Sequence, residues 1–296
     1  MSFHMKNALA RRGLAGATAT LFAVMAPVAH AEWKLNMTEG VSILSKEIYG
    51  LHMTIFWWCV AIGIVVFGAM IYSLVMFRKS LGAKADTTLV HSTKVEIIWT
   101  VIPIAILVAM AIPTAKGLIK IEDMGNVALN IKVTGYQWKW EYEYHNQDVR
   151  FFSTLKRDSN AARQLGSGID PKSVPNYLLD VDNPLVVPAG TKIRFLLTAQ
   201  DVIHAWWVPA FGMKKDAIPG YVNEIWVQVD ADKVGTYRGQ CAELCGQDHG
   251  FMPIVVEVKS PAEYDTWLRA KQAEQKLAGN PSPTAVASAA PAVTQQ

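Results

Sequence analysis

The sequence is short of cysteine: three in 296 residues, and no Cys-x-x-Cys-His. So few thiols exclude a disulfide-stapled scaffold, and the missing motif excludes a covalently attached c-type haem. Charge is also scarce. Charged residues make up 18% of the chain, the formal net charge is +3, and there is no basic run, which argues against a nucleic-acid partner. Two long stretches, Thr54 to Phe77 and Ile97 to Ala115, hold no charged residue at all. What the chain has instead is apolar bulk, 51% hydrophobic with ten tryptophans, and most of the apolar excess lies before residue 120.

Residues 1–31 read as a secretory signal, cleaved on export. Lys6, Arg11 and Arg12 form the positive start, Leu14 to Ala26 the apolar run, and Ala29-His30-Ala31 the small-x-small cleavage site. Residues 32–50 form an exported N-terminal segment. The two charge-free stretches meet the requirement of about 20 apolar residues for a membrane span, giving transmembrane helices over 51–78 and 95–118. The loop between them, 79–94, with Arg78 at its edge, carries Lys79, Lys84 and Lys94 against Asp86. Positive loops stay cytoplasmic, so both mature ends face the exported side. Cys59 inside the first span reads as a packing residue. Glu96, at the cytoplasmic entrance to the second span, has two readings: a helix-start carboxylate favoured by the dipole, or a proton-handling group at membrane depth.

From about Val127 the period changes to two. Between Tyr136 and Tyr144 every even position is aromatic and the odd positions after Tyr136 are polar, which predicts one half-buried strand. Residues 145–178 are polar and read as a long surface excursion. Short strands follow over 184–187, 191–198, 204–208, 224–229, 235–239 and 253–258, a pattern of sandwiches and barrels. The β domain spans 127–260. Ser260-Pro261-Ala262-Glu263 is a capping box opening a helix over 261–278. The Ala/Pro tail, 279–296, is low in complexity and reads as disordered.

The chemistry concentrates in Gly239 to Pro253, where Cys241, Cys245, His249 and Met252 fall within twelve residues. Thiolate, imidazole and thioether suit copper, and a single blue-copper site takes one Cys, two His and a Met. One extra Cys suggests two metal ions sharing sulfur. One missing His must come from elsewhere. Of the exported histidines, His145 lies in a polar loop and His204 on a strand end, where a ligand is better fixed. His204 is therefore the second imidazole. A Cys241–Cys245 disulfide and a Cys2His2 zinc site are the rival readings; the Met and the strand context favour copper.

The two-span hairpin, the Tyr-Gln-Trp-Lys-Trp stretch at 136–140, Asp-Val-Ile-His-Ala-Trp at 201–206 and Cys-Ala-Glu-Leu-Cys-Gly-x-x-His-x-x-Met at 241–252 together resemble subunit II of bacterial haem-copper cytochrome c oxidases. The resemblance covers nearly the whole mature chain. It implies a two-helix transmembrane hairpin followed by an all-β cupredoxin-like barrel, a Greek-key sandwich, with a C-terminal helix. It implies a binuclear CuA centre bridged by Cys241 and Cys245, capped by His204 and His249, with Met252 and the Glu243 carbonyl as weak ligands. It further implies a magnesium ion reached by the Glu243 carboxylate and shared with subunit I, electron entry from cytochrome c at Trp138, and a proton-channel mouth at Glu96. The implied partners are subunit I, subunit III, cytochrome c and the lipid bilayer, in the bacterial inner membrane with the CuA domain periplasmic. Quinol oxidase subunits share the hairpin and barrel but lack the copper ligands, and nitrous oxide reductases carry CuA on a longer soluble chain. For docking a basic cytochrome c, Glu141, Glu143, Asp148, Asp158, Asp180, Asp182 and Glu224 are candidate acidic residues, although the β domain as a whole is nearly neutral, with 14 Lys and Arg against 15 Asp and Glu.

Overall fold

A computed structural model describes residues 36–84, 87–88 and 90–277. The expected signal segment and the Ala/Pro tail lie outside these residues. Two long helices come first, α1 (Ile43–Met76) and α2 (Thr93–Ile121). Both are long and apolar enough to cross a membrane. They show large apolar side chains outward along much of their length, among them Ile64, Val65, Leu107 and Ile119. They meet where Gly117 leaves room for Leu51: a methyl at Gly117 would lie 2.8 Å from the Leu51 side chain.

The first helix starts ahead of its apolar run because Ser42 caps it. Ser42 Oγ accepts from the Ser45 amide at 3.0 Å, and Ser45 Oγ accepts from the Ser42 amide at 2.9 Å. Ser42 Oγ also donates to the Phe211 carbonyl at 2.7 Å, and Ile43 N–H donates to the Gln228 carbonyl, so the helix grows out of the β domain rather than from a free linker. At the other end, Trp226 Nε1 donates to the Lys120 carbonyl at 3.2 Å. Lys192 Nζ donates to the Asp123 and Gly125 carbonyls at 2.8 and 2.7 Å, which fixes the exit of α2.

Ten strands follow: β1 (Leu129–Tyr136), β2 (Lys139–Tyr144), β3 (Val149–Ser153), β4 (Leu185–Pro188), β5 (Ile193–Ala199), β6 (His204–Val208), β7 (Met213–Ala217), β8 (Asn223–Val227), β9 (Gly235–Cys241) and β10 (Pro253–Lys259). They form two five-stranded sheets, ordered β3-β2-β1-β5-β8 and β4-β10-β9-β6-β7. Inward side chains of both sheets build one core, with Trp140, Tyr142, Tyr144, Phe195, Trp206 and Phe211 fully buried. Helix α3 (Arg157–Ala162) lies between β3 and β4, and α4 (Pro261–Leu277) follows β10. The capping box at its start is formed, with the Ser260 N–H donating to Glu263 Oε2 at 3.1 Å and the Glu263 N–H to Ser260 Oγ at 3.4 Å.

Two expectations need correction. The aromatic stripe from Tyr136 to Tyr144 is not one strand. The chain turns at Gln137–Trp138, whose peptide bond is cis, and pairs Tyr136 with Lys139. Paired residues share a face, so the turn shifts the inward set from odd positions in β1 (Ile131, Val133, Gly135) to even positions in β2 (Trp140, Tyr142, Tyr144), and Tyr136 lies on the other face with Lys139 and Glu141. Nor do the odd positions all face water: Glu141 is 4% exposed, and accepts from Arg150 Nε at 2.6 Å and from the Tyr136 hydroxyl at 3.1 Å. The polar excursion is also more ordered than its composition suggested, since it holds β3 and α3.

Candidate metal centre

Pairing within the second sheet brings the sequence-distant ligands together. Antiparallel β6 and β9 place Trp206 opposite Cys241, and β9 and β10 place Gln240 opposite Pro253. The loop 242–252 therefore joins two adjacent strands at one end of the sheet, beside the first residue of β6, which is His204. Cys241 ends β9, Cys245 sits in the loop, His249 opens a short 3-10 turn to Phe251, and Met252 closes it.

Cys241 and Cys245 are free, buried thiols with their Sγ atoms 3.8 Å apart. A disulfide needs about 2.05 Å, so the disulfide reading does not describe this site. His204 Nδ1 lies 3.9 Å from Cys241 Sγ, and His249 Nδ1 lies 3.5 Å from Cys245 Sγ. Met252 Sδ lies 3.5 Å from Cys245 Sγ, and the Glu243 carbonyl accepts from the Cys241 thiol at 3.3 Å. The ligating atoms of His204, Cys241 and Cys245 all lie within 4.8 Å of one another. The donor set thus has two sulfurs in the middle, an imidazole beside each, and a thioether and a carbonyl at the margins. Five soft and borderline donors and one carbonyl, built around two central thiols, exceed one tetrahedral zinc site and fit copper.

These donors are braced from both sheets. His204 is fully buried, and its Nε2 faces Asp201 Oδ1 at 2.9 Å. A carboxylate can only accept, so Nε2 carries a proton, and Nδ1, beside Cys241, is the nitrogen that a metal would take. The same carboxylate accepts from the Val202 amide and the Gln137 amide, each at 2.7 Å. The Cys245 carbonyl accepts from Gln137 Nε2 at 3.0 Å and Trp138 Nε1 at 3.1 Å, and the Met252 carbonyl from Trp140 Nε1 at 3.3 Å. The β1–β2 turn of the opposite sheet therefore closes over the loop. Asp201 lay in plain sight, three residues before the ligand His; the Gln137 contact had no sequence signal.

Electrostatics separate the two thiols. Burial pushes the Cys241 thiol up, but hydrogen bonding to His204 and to the backbone of Ala205 and Glu243 outweighs it and brings it down to about 7. Burial pushes the Cys245 thiol up to about 12, reinforced by the charge of Cys241. For His204, burial lowers the pKa, and its contacts with Cys241 and Asp201 raise it overall. Two thiols sharing one buried space cannot both ionise cheaply without a cation between them, which is a further mark of a metal site.

The remaining expected residues are placed as follows. Trp138 is half-buried, with its ring nitrogen on Cys245. The Glu243 side chain is exposed on the outside of the loop. Glu96 is exposed in the first turn of α2, roughly 38 Å along the helix from Ile121 at 1.5 Å per residue. Several acidic candidates are already engaged: Glu141 with Arg150, Asp180 with Arg238, Asp182 with Thr154 and Glu224 with Arg194.

Comparison with known proteins gives the family. The family described as "Cytochrome C oxidase subunit II, periplasmic domain" matches residues 129–259, and its transmembrane domain matches residues 30–116. The "Probable cytochrome c oxidase subunit 2" of Rickettsia bellii is 39% identical over 280 residues, covering 94% of this chain and 96% of that protein. "Cytochrome c oxidase subunit 2" of Arabidopsis thaliana is 36% identical over 250 residues, covering 84% of this chain and 94% of that protein. Among solved structures, the periplasmic domain of subunit II of cytochrome oxidase of Bradyrhizobium japonicum is 40% identical, covering 51% of this chain and 99% of that one, with a TM-score of 0.43. The chain belongs to the cytochrome c oxidase subunit II family, and is a subunit of a haem-copper oxidoreductase complex with two apolar helices ahead of a cupredoxin-like β domain.

Proposed function

We propose that this chain is the electron-entry subunit of its oxidase. The observation that carries the proposal is the sulfur pair: two free thiols 3.8 Å apart, with the His204 imidazole beside one and the His249 imidazole beside the other. Cys241, Cys245, His204, His249, Met252 and the Glu243 carbonyl would hold a binuclear CuA centre. Bound there, the copper pair would supply one-electron transfer from cytochrome c to haem in subunit I, where oxygen is reduced to water with coupled proton pumping.

The protein's part is to keep the donors still and dry. Cys241, Cys245 and Met252 are buried, His204 is sealed between the sheets, and the loop carbonyls are pinned by Gln137, Trp138 and Trp140. Ligands fixed by their outer partners move little when charge arrives, and this keeps the barrier to transfer low. Trp138 is the proposed entry point, because its indole links the half-exposed surface to the Cys245 carbonyl by one hydrogen bond. The exposed Glu243 carboxylate is the proposed arm to a magnesium ion shared with subunit I. Glu96, far along α2, is the proposed proton-channel mouth. The outward apolar faces of α1 and α2 support contact with lipid and with subunits I and III. By this reading residues 1–31 are removed on export, and the β domain faces the periplasm of a bacterial inner membrane.

The test is a rapid-mixing experiment with the full chain, copper-loaded in detergent, against reduced cytochrome c. One equivalent of cytochrome c oxidised per chain is expected. No oxidation by a fully loaded protein would contradict the proposal.

A further inference from the structure

Between β3 and β4 the chain leaves the sandwich and ties itself to the ligand loop. Arg163, just past α3, donates from Nη1 and Nη2 to the two carboxylate oxygens of Asp248 at 3.1 and 3.0 Å. Its Nε donates to Asn160 Oδ1 at 2.7 Å, and its guanidinium lies 4.2 Å over the ring of Phe251. Asp248 precedes His249 and Phe251 precedes Met252. One side chain thus grips the residue before each of two metal ligands. The pair is partly desolvated, with 20% and 25% of the two side chains exposed, and bidentate, so it is stronger and more directional than an ordinary surface ion pair. The excursion that carries Arg163 is anchored in turn: Arg238, three residues before Cys241 on β9, donates to Asp180 at 2.8 Å, and the buried Ser159 hydroxyl accepts from the Leu178 amide at 3.1 Å.

We infer that Arg163 is a positioning residue for the His249–Met252 side of the metal centre, acting through Asp248 and Phe251 and leaving the His204 side to Asp201. The inference rests on the copper reading of the loop. Its physical content is an asymmetry. His204 is held by β6, Gly135 and Asp201, whereas His249 sits in a three-residue turn whose flanks Arg163 clamps. Releasing the clamp loosens one end of the donor set only. A lysine would restore the charge but neither the planar fork nor the stack on Phe251.

The test uses the full chain in detergent as wild type, Arg163→Ala and Arg163→Lys. Three quantities are read: copper loss to a chelator, the electron-spin hyperfine pattern, and the rates at which a small thiol reagent labels Cys241 and Cys245 in the metal-free chain. Expected for Arg163→Ala are copper loss accelerated roughly 10-fold, hyperfine coupling made unequal between the two coppers, and labelling accelerated over wild type more at Cys245 than at Cys241. Arg163→Lys should recover these only in part. Unchanged copper loss, hyperfine pattern and labelling would overturn the inference. So would equal acceleration at both cysteines with a lowered melting temperature, since that marks general destabilisation. If Arg163→Ala does not fold, Arg163→Lys carries the same comparison. If the wild type takes up no copper pair, the copper reading fails, while the labelling contrast still decides whether Arg163 clamps one side of the loop.

Discussion

Gly135 of β1 lies against the imidazole of His204 on the facing sheet, so that a methyl at Gly135 would sit 2.7 Å from His204 Cδ2 and 3.0 Å from Cγ. The ligand is thus wedged between sheets, with Trp140 edge-on to it at a centroid distance of 5.8 Å. Gly135→Ala must displace the ring or the strand. Overpacking of this kind costs about 1–3 kcal/mol, and the displaced Nδ1 should weaken copper retention. A lower melting temperature together with faster copper loss is expected; a variant matching wild type in both would show that the wedge is slack.

Asp201 holds the far nitrogen of the same ring. In Asp201→Asn one oxygen could still serve His204 and Val202, but the new amide would then point its own N–H groups at the Gln137 N–H. That conflict should loosen both the ring and the β1–β2 turn. Copper affinity is expected to fall about 10–100-fold, as measured by chelator competition. Wild-type affinity would show that packing alone orients His204.

Trp138 and Gln137 share the Cys245 carbonyl. Trp138→Phe leaves Gln137 in place, so copper content and optical bands should stay as in wild type. The second-order rate of electron uptake from cytochrome c should drop by about 30-fold, the equivalent of a tryptophan hot spot of about 2 kcal/mol. An unchanged rate would move electron entry to another part of the surface.

Asp180 links the excursion to β9. Burial raises its carboxyl, but Arg238, Asn176 and Lys156 outweigh this and hold it below the ordinary 3.8. A depressed folded value stabilises the protein at pH above the ordinary aspartate range, and the contribution disappears as pH falls through the folded value. Asp180→Asn should therefore cost about 1 kcal/mol near pH 7, and its deficit against wild type should shrink toward zero below about pH 4. Denaturant unfolding across that range checks the sign; a deficit that grows on acidification would contradict it.

The cluster of Cys241, Cys245, His249, Met252 and His204 was legible because four of its members lie within one loop and the fifth opens a strand. Strand ends are where a sheet collects residues distant in sequence, and the β6–β9–β10 pairing does so here. The hairpin helices were equally legible from their charge-free runs. The turn at Gln137–Trp138 was not, because it contains no Gly, Asn or Pro and the aromatic spacing continues across it although the inward face switches from odd to even positions. The start of α1 was missed because its caps are two serines whose signal lies outside the apolar run. Residues that brace the site, namely Gln137, Arg163 and Gly135, act across the fold. No local pattern announces which carbonyl or carboxylate they will meet. The acidic candidates for cytochrome c docking show the same limit: composition counts Glu141, Asp180 and Glu224 as free charges, whereas the fold has paired each with an arginine.

The central claim is that the Cys241–Cys245 pair holds two coppers as one electronic unit. The most direct measurement is copper per chain combined with electron-spin and near-infrared spectra of the copper-loaded full chain. Two coppers with a mixed-valence signal, abolished in Cys241→Ser, are expected. A single copper or zinc per chain, or a Cys241–Cys245 disulfide with no metal signal, would contradict the claim.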